Sequence, residues 1–447
     1  MLRRLLFANF KFIYRLSQRA RRRFTSNGML ILFIMPVAGV FGFDTRSTLS
    51  FQIFAVTLIL LITSITCSLF FRGRFKVERI LPDYGSVGSP VFYTCTVKNQ
   101  NNAINRGLVL IDDLKNNFPS TSEFSHYQDP LDKKRNIFDR IVGYPRLVNI
   151  VQKLRGGSIN PATIDYIAAQ GKTNVELELI PSRRGYVYFE NIRLAKSDPL
   201  GLFHAQKTYD QKDKLLVLPK LVKTPELKLH GKRMYQHGGV NNASQVGDSQ
   251  EFISLRDYRP GDPMRNIHWR SYAKRGEPIV KEYQDEFFVR YGLILDTYLQ
   301  DQSNNLFEDA VSIAASFMSA QNNQDALLDL MFIGNNAYRF TSGRGLTGIE
   351  NILEVLACIE PVYESNIERL QIMLDHHIHE CSALVCILLN MNDERKKLLE
   401  KIVTYNLPVK VLVLSEEEQI KITNIPESAE IHFIRHDNLQ EDLELIT

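Results

Sequence analysis

Residues 256–276, RDYRPGDPMRNIHWRSYAKRG, gather the side chains best suited to chemistry, among them Asp262, His268 and the chain's only tryptophan, Trp269. With Asp248 nearby, Asp262 and His268 could ligate a metal or exchange a proton while the arginines grip an anionic substrate. The charge balance weighs against this. Residues 256–286 hold seven basic side chains (Arg256, Arg259, Arg265, Arg270, Lys274, Arg275, Lys281) against six acidic ones (Asp257, Asp262, Glu277, Glu282, Asp285, Glu286). A phosphate site would be lopsided, whereas a brace between domains needs paired charges. RPGDP turns the chain, Trp269 can fill a joint as a large apolar anchor, and no nucleophile stands out, so a brace is the preferred reading.

A second constellation, His376, His377 and His379 followed by Cys381, invites zinc. Structural zinc needs a second ligand pair at recognisable spacing, which the sequence does not offer, so a solvated helix end is the better reading. There is no G-x-x-x-x-G-K-[ST], G-x-S-x-G or H-E-x-x-H, so any ATP chemistry must come from a partner.

The elements that must carry these residues begin at a membrane. Arg3, Arg4, Lys11, Arg15, Arg19, Arg21, Arg22 and Arg23 give +8 with no acid among them, so a net charge of +4 leaves −4 for the remainder. That argues against a nucleic-acid-binding body and for a basic segment, 1–23, beside a bilayer. Residues 24–43 and 47–71 are charge-free, each long enough to span a hydrocarbon core of roughly 30 Å. Pro36 is tolerable in a packed helix pair, and a cleaved signal peptide is disfavoured because a second span follows at once. Arg72, Arg74 and Lys76 follow the second span and the turn holds only Asp44 and Arg46, so both termini are expected in the cytosol. Five cysteines, mostly in apolar runs, suggest no disulfide framework.

Beyond the spans, residues 77–220 read as a β-sandwich-like domain: VFYTCTVKN and NVELELIPSRRGYVYFENIRL alternate with period two. Residues 115–172 read as an insertion, helical around 137–154, and SDPLGLF (197–203) as a packed connector with a turn and an apolar anchor. Residues 221–286 form a connector, and 287–447 alternate strand with helix. Alternation of that kind gives a doubly wound, mostly parallel α/β sheet whose functional edge lies at the C-terminal ends of its strands.

The order of two spans, IPSRRG, SDPLGLF and then GDSQEFISLRDYRPGDPMRNIHWRSYAKRGEPIVKEY resembles the bacterial domain of unknown function 58 family. Gly247, Glu251, Phe252, Arg256, Tyr258, Gly261, Asp262, Arg265, Ile267, His268, Trp269 and Lys281 carry the pattern. The resemblance implies a C-terminal domain similar to the von Willebrand factor A fold. It also implies company with MoxR-type AAA+ ATPases and transglutaminase-like membrane proteins. Domains of that fold commonly hold Mg²⁺ through D-x-S-x-S at the end of the first strand. Here the stretch is Asp296-Thr297-Tyr298-Leu299-Gln300, and a phenol is too long for the cradle, so no tight metal is expected, at most a weak Mg²⁺ at Asp296 helped by Asp301 or Ser303.

The expectation is a multi-pass inner-membrane protein, an adaptor and no enzyme, contacting its partner through Asp296, Thr297, Tyr298, Asp301 and Ser303. The alternative is a metal-dependent hydrolase at the membrane surface that uses Asp262 and His268.

Overall fold

The computed structural model describes residues 2–42, 48–71, 73–126, 135–136, 143–224, 251–262, 264–284, 289–299, 305–321, 326–334, 336–342, 349–364, 367–415 and 429–446. They fall into two compact units, Met1–Leu221 with Leu353–Ile359, and Val222–Ile352 with Glu360–Thr447.

Three helices open the first unit: α1 (Leu2–Arg23), α2 (Ser26–Gly42) and α3 (Thr48–Leu69). The sequence marks 1–23 only as basic. It is a helix because Phe7, Phe10 and Tyr14 recur at helical spacing and bury together. Within α3, Leu49–Leu69 is long and apolar enough to cross a membrane, whereas the apolar run of α2, Ser26–Phe41, is shorter. Phe33, Val40 and Phe41 of α2 and Ile59, Ile62 and Leu69 of α3 are exposed. Outward apolar surface of this kind suits lipid. The helices approach closely at Gly39, where a Cβ would come within 3.3 Å of the Phe54 ring.

The strands β1 (Phe75–Ile80), β2 (Tyr84–Ser86), β3 (Val91–Asn99) and β4 (Asn105–Leu114) come next. After them run α4 (Thr121–His126), α5 (Tyr144–Arg155), β5 (Gly157–Ile159), β6 (Ala162–Ile167), β7 (Lys172–Pro181), β8 (Gly185–Ser197) and β9 (His204–Leu218). Two sheets, β1-β3-β7-β5 and β2-β9-β8-β4-β6, enclose one core that includes Tyr93, Cys95, Leu110, Leu177, Ile192 and Leu215. An ionic knot joins them. Arg79 of β1 donates both Nε (2.9 Å) and Nη2 (2.6 Å) to Asp112 of β4, and Nη1 (2.5 Å) to Asp213 of β9. Tyr93 adds its hydroxyl to Asp112 at 2.7 Å, so a burial that is costly for bare charges is compensated by hydrogen bonds.

Residues 115–172 are not simply an interruption. α5 starts at Tyr144, inside the expected helical stretch, and residues 137–142 lie outside the described ones. β5 and β6 then join the two sheets as edge strands. They escape the sequence reading because β5 is three residues long and β6 shows no clean alternation of buried and exposed positions. α4 and α5 pack on α1 through Phe124, Leu147, Ile150 and Val151.

The second unit opens with a two-stranded antiparallel pair, β10 (Glu251–Asp257) and β11 (Ile279–Gln284), with α6 (Trp269–Arg275) between them. Its main sheet has the order β14-β13-β12-β15-β16-β17. In chain order the elements are β12 (Val289–Leu295), α7 (Asn305–Gln321), β13 (Ala326–Ile333), β14 (Ala337–Ser342), α8 (Ile349–Cys358), whose residues from Leu353 on belong to the first unit, and α9 (Ile367–His377). β15 (Ala383–Leu389), α10 (Asp393–Thr404), β16 (Val409–Ser415), β17 (Ala429–Arg435) and α11 (Leu439–Glu444) complete it. All pairs in the main sheet are parallel except β13–β14.

Every residue of β15 and β16 is buried, the mark of strands covered on both faces. Ile294, Met331, Cys386 and Val411 face α9 and α10, while α7 packs on β12, β13, β15 and β16 outside that cluster. This mixed α/β arrangement sets Asp296 at the C-terminal end of a central strand.

Candidate functional site

Parallel α/β sheets present ligands at the carboxyl ends of their strands, so the end of β12 is the first place to look. Asp296 is only 2% exposed and Arg395, from the first turn of α10, 1%. The Arg395 Nε donates to Asp296 Oδ2 at 2.6 Å, and the Leu389 amide donates to the same oxygen at 3.1 Å. The Tyr298 amide donates to Oδ1 at 3.0 Å. Arg395 also reaches the Tyr298 carbonyl through Nη2 (2.6 Å), and its guanidinium lies 5.4 Å from the Tyr298 ring centroid. Asn392 caps α10 by accepting the Arg395 amide at 2.9 Å, which fixes where the arginine starts.

Both Asp296 oxygens are therefore engaged, and a guanidinium supplies the positive charge that a metal would bring. Mg²⁺ requires compact oxygen coordination and retained water, and this donor set does not fit it. Thr297 is buried, its hydroxyl donates to the Ile333 carbonyl, and its own carbonyl accepts the Val362 amide at 2.8 Å. Asp296 and Thr297, expected to touch a partner, are thus turned into the fold, while Tyr298 is half-buried. Gln300, Asp301 and Ser303 lie outside the described residues.

The motif hairpin behaves differently. The Arg256 guanidinium grips Asp262 in a fork, Nη1 to Oδ2 at 2.7 Å and Nη2 to Oδ1 at 2.8 Å. The Arg259 amide adds a 2.8 Å bond to the same carboxylate. The Arg256 bonds, then the Arg259 amide, hold the Asp262 carboxyl down at about 2. Gly261 takes φ 109°, which a side chain would strain, so RPGDP turns where a glycine permits it.

His268 is held elsewhere: its amide donates to the Ile279 carbonyl at 2.8 Å and its Nδ1 lies 2.6 Å from Ser271 Oγ. Asp262 and His268, the acid and base of the hydrolase alternative, thus have separate partners. The Tyr258 amide bonds the Pro278 carbonyl at 3.0 Å, and Ile267 bridges Val280 with both side chains buried.

Trp269 does not fill a joint. It is 60% exposed, edge-on to Tyr272 with ring centroids 6.1 Å apart. Arg265, Arg270, Lys274 and Arg275 are exposed with it, as is Met264, while Lys281 is half-buried. Helix α6, WRSYAKR, has no acid, and Gly276 (φ 77°) ends it with an αL cap to the Tyr272 carbonyl. Asp262 is taken by Arg256, and the exposed helix stays basic and aromatic. Gly247 and Asp248 lie outside the described residues, as does the side chain of Glu251.

Two motifs in the first unit have structural work. In SDPLGLF, the Asp198 carboxylate accepts the amides of Leu200 (3.1 Å), Leu202 (2.7 Å) and Phe203 (2.8 Å). Burial alone would raise its pKa, but these bonds hold it below the usual value. The turn clasps the α1–α2 junction. Thr25 donates its amide to the Leu202 carbonyl (3.1 Å) and its hydroxyl to that of Gly201 (2.6 Å), and the Phe24 and Phe203 rings meet edge-on at 5.1 Å. A Cβ on Gly28 would fall 1.9 Å from the Leu202 oxygen, so only glycine fits. In IPSRRG, Arg184 donates to the carbonyls of Leu356 (3.1 Å) and Ile359 (2.6 Å), in the short segment that belongs to this same unit.

The histidine run does not converge on a metal geometry. Arg339 can only donate, so the His377 Nδ1, 2.6 Å from Arg339 Nη1, accepts. The His379 ring lies edge-on to Tyr405, and burial pushes the Cys381 thiol up to about 12, far from a ready thiolate. Among the described residues no three His, Cys, Asp or Glu side chains group as ligands.

What the run does border is an ionic cluster that sequence reading missed. Buried Asp329 accepts from Arg339 Nη2 (2.6 Å) and Thr341 Oγ1 (2.6 Å), Arg290 Nε stands 2.9 Å away, and Glu380 pairs with both arginines. The available signal was a lone aspartate inside the apolar run ALLDLMFIG.

Comparison with known proteins adds a family. Residues 254–419 match the sequence model of the family described as Protein of unknown function DUF58. An uncharacterised Bacillus subtilis (strain 168) protein, YeaD, is 26% identical over 184 residues, 41% of this chain. The chain spans 44% of that relative's length. Among solved structures, the manganese-loaded Plasmodium vivax TRAP protein is similar at 11% identity and a TM-score of 0.27, over 36% of this chain and 72% of its own. The CARDB domain of the Pyrococcus furiosus PF1109 protein, in complex with di-metal ions, gives 11% and 0.17 over 33% and 91%. Structural likenesses this slight carry no argument. The matched motif region and the Bacillus relative together support a relation of this part of the chain to the DUF58 family.

Proposed function

We propose that the protein is a membrane-anchored adaptor at the cytoplasmic face of a bacterial inner membrane, and that it recognises a protein partner through the exposed face of the 256–281 hairpin. In this reading α2 and α3 form the anchoring hairpin. The second unit is von Willebrand factor A-like, and a MoxR-type AAA+ ATPase is the partner first to be sought, with a transglutaminase-like membrane protein as a further component. The observation that carries the reading is Trp269, exposed beside Tyr272 and the unpaired-sign cluster Arg270, Lys274 and Arg275. Tryptophan, tyrosine and arginine are the residues that dominate protein–protein hot spots, and an exposed tryptophan stabilises nothing until it is covered. The neighbouring groups suited to acid–base work, Asp262 and His268, are each committed to a local bond.

The test is affinity capture from native membranes in mild detergent, comparing the wild-type chain with Trp269→Ala and Tyr272→Ala. An ATPase recovered with the wild type and lost with either variant supports the reading. Equal recovery with all three, or turnover of a hydrolysable substrate that Asp262→Asn and His268→Ala abolish, overturns it.

A further inference from the structure

Helix α1 carries two apolar surfaces, and the fold covers one of them. Phe7, Phe10 and Tyr14 are buried against Phe124, Leu147, Ile150 and Val151. Phe12 (67% exposed), Ile13 (46%) and Leu16 (56%) lie on the other side, uncovered. Between the two runs a ridge of like charge, Lys11, Arg15, Arg19 and Arg23, each four residues from the next. Four-residue spacing stacks side chains on one face, where like charges repel.

A helix meant for water would offset such a ridge with acids. α1 has none, and among the described residues the ion pair made by this helix is that of Arg22 with Asp113 of β4, off the ridge. The Lys11 ammonium stands 4.2 Å from the Phe7 ring centroid and 5.6 Å from that of Phe118, and the Arg15 guanidinium 5.2 Å from the Phe118 ring, whereas Arg15, Arg19 and Arg23 remain exposed. At Arg23 the ridge leads, within three residues, into the apolar α2.

We propose that α1 lies in the interface of an anionic bilayer, with Phe12, Ile13 and Leu16 against the acyl chains and the Lys11–Arg15–Arg19–Arg23 ridge at the lipid phosphates. The charge complementarity and the continuity with the apolar helices select lipid over a second protein. An apolar row sinks about 5–10 Å into the headgroup boundary while basic heads remain at phosphate level, and each basic group near an anionic surface adds to the attraction. The inference rests on the anchored reading above and adds a third, lateral contact to it. The covered face then lets the membrane surface hold α4 and α5, which α1 joins to the sheets.

The experiment uses the full chain in nanodiscs. Trp269→Phe combined with Phe12→Trp places the single tryptophan on the exposed row, and brominated lipids, with bromine near the headgroup or at the chain terminus, quench it by depth. In phosphatidylglycerol-containing discs, bromine near the headgroup should lower emission at least roughly two-fold, and terminal bromine much less. In neutral phosphatidylcholine discs, or with Arg15→Gln, Arg19→Gln and Arg23→Gln together, the quenching should fall. No quenching while the chain resists carbonate extraction overturns this inference and leaves the anchor intact, whereas loss of the wild-type chain to carbonate overturns the anchored reading itself. A tryptophan that no lipid quenches but that is shielded from aqueous iodide assigns the row to a protein and also overturns the proposal. Equal quenching in neutral and anionic discs overturns the role given to the charged ridge.

Discussion

The end of β12 and the 256–281 hairpin are built from the same side chains, aspartate, arginine and an aromatic, with opposite outcomes. At the strand end Arg395 and Asp296 are sealed together with the Tyr298 backbone, and the charges serve the fold. In the hairpin Arg256 and Asp262 brace a turn near the surface, beside an exposed tryptophan and three exposed basic residues, Arg270, Lys274 and Arg275. Among the described residues, Asp296 and Thr297 at the strand end are buried, while Trp269 in the hairpin is exposed. Residue type alone does not separate these roles. Burial does, because a buried charge must be satisfied internally while an exposed aromatic next to like charges has no internal use.

The contrast can be broken most severely at Arg395. Arg395→Ala should cost about 3–5 kcal/mol, since it leaves Asp296 as an uncompensated buried charge. Native-state hydrogen exchange at the β12 and β15 amides would read this, and protection lost by less than about 1 kcal/mol would show that the strand end is not sealed. Asp296→Asn with Arg395→Met should recover most of the loss.

Next is Asp198→Ala, which strips the acceptor from three amides and should cost about 1–3 kcal/mol, read as faster proteolysis at 198–203. Because the Asp198 pKa is lowered in the fold, its contribution is complete above the ordinary carboxylate value and declines as the pH falls below it.

Asp262→Asn should loosen the turn locally. The stabilisation from this carboxylate is fully present above its ordinary value of 3.8 and is lost as the pH falls through about 2, so the variant should differ from wild type at neutral pH and converge with it in strong acid. Local exchange at the Arg259 amide would follow this, and divergence that grows toward acid pH would refute the assignment. Trp269→Ala should have the smallest effect on stability, within about 0.5 kcal/mol. A larger loss would mean that the ring packs in the folded state after all.

Much of the fold was legible because it rests on periodicity. The alternation in VFYTCTVKN and the apolar runs SALVCILLN and VKVLVLS follow from faces that must be buried. β14, antiparallel at the sheet edge, and α1, whose apolar residues are obscured by eight basic ones, were harder, since a one-sided edge and a two-sided helix show no clean period.

The site was less legible. Asp296 stood out, but Arg395, 99 residues away, did not, because an arginine opening an amphipathic helix looks like any solvated one. Only the Asn392 cap and the depth of Asp296 turn it inward. Trp269 was misplaced for the opposite reason. Large aromatics are usually buried, and the sequence carries no sign that this one is not.

Photocrosslinking in native membranes, with p-benzoylphenylalanine at position 269 and, in a separate chain, at position 298, tests the adaptor reading most directly. The account predicts an adduct with an AAA+ ATPase, identified by mass spectrometry, from position 269 and none from 298. An adduct from 298 alone, or from neither position, would contradict it.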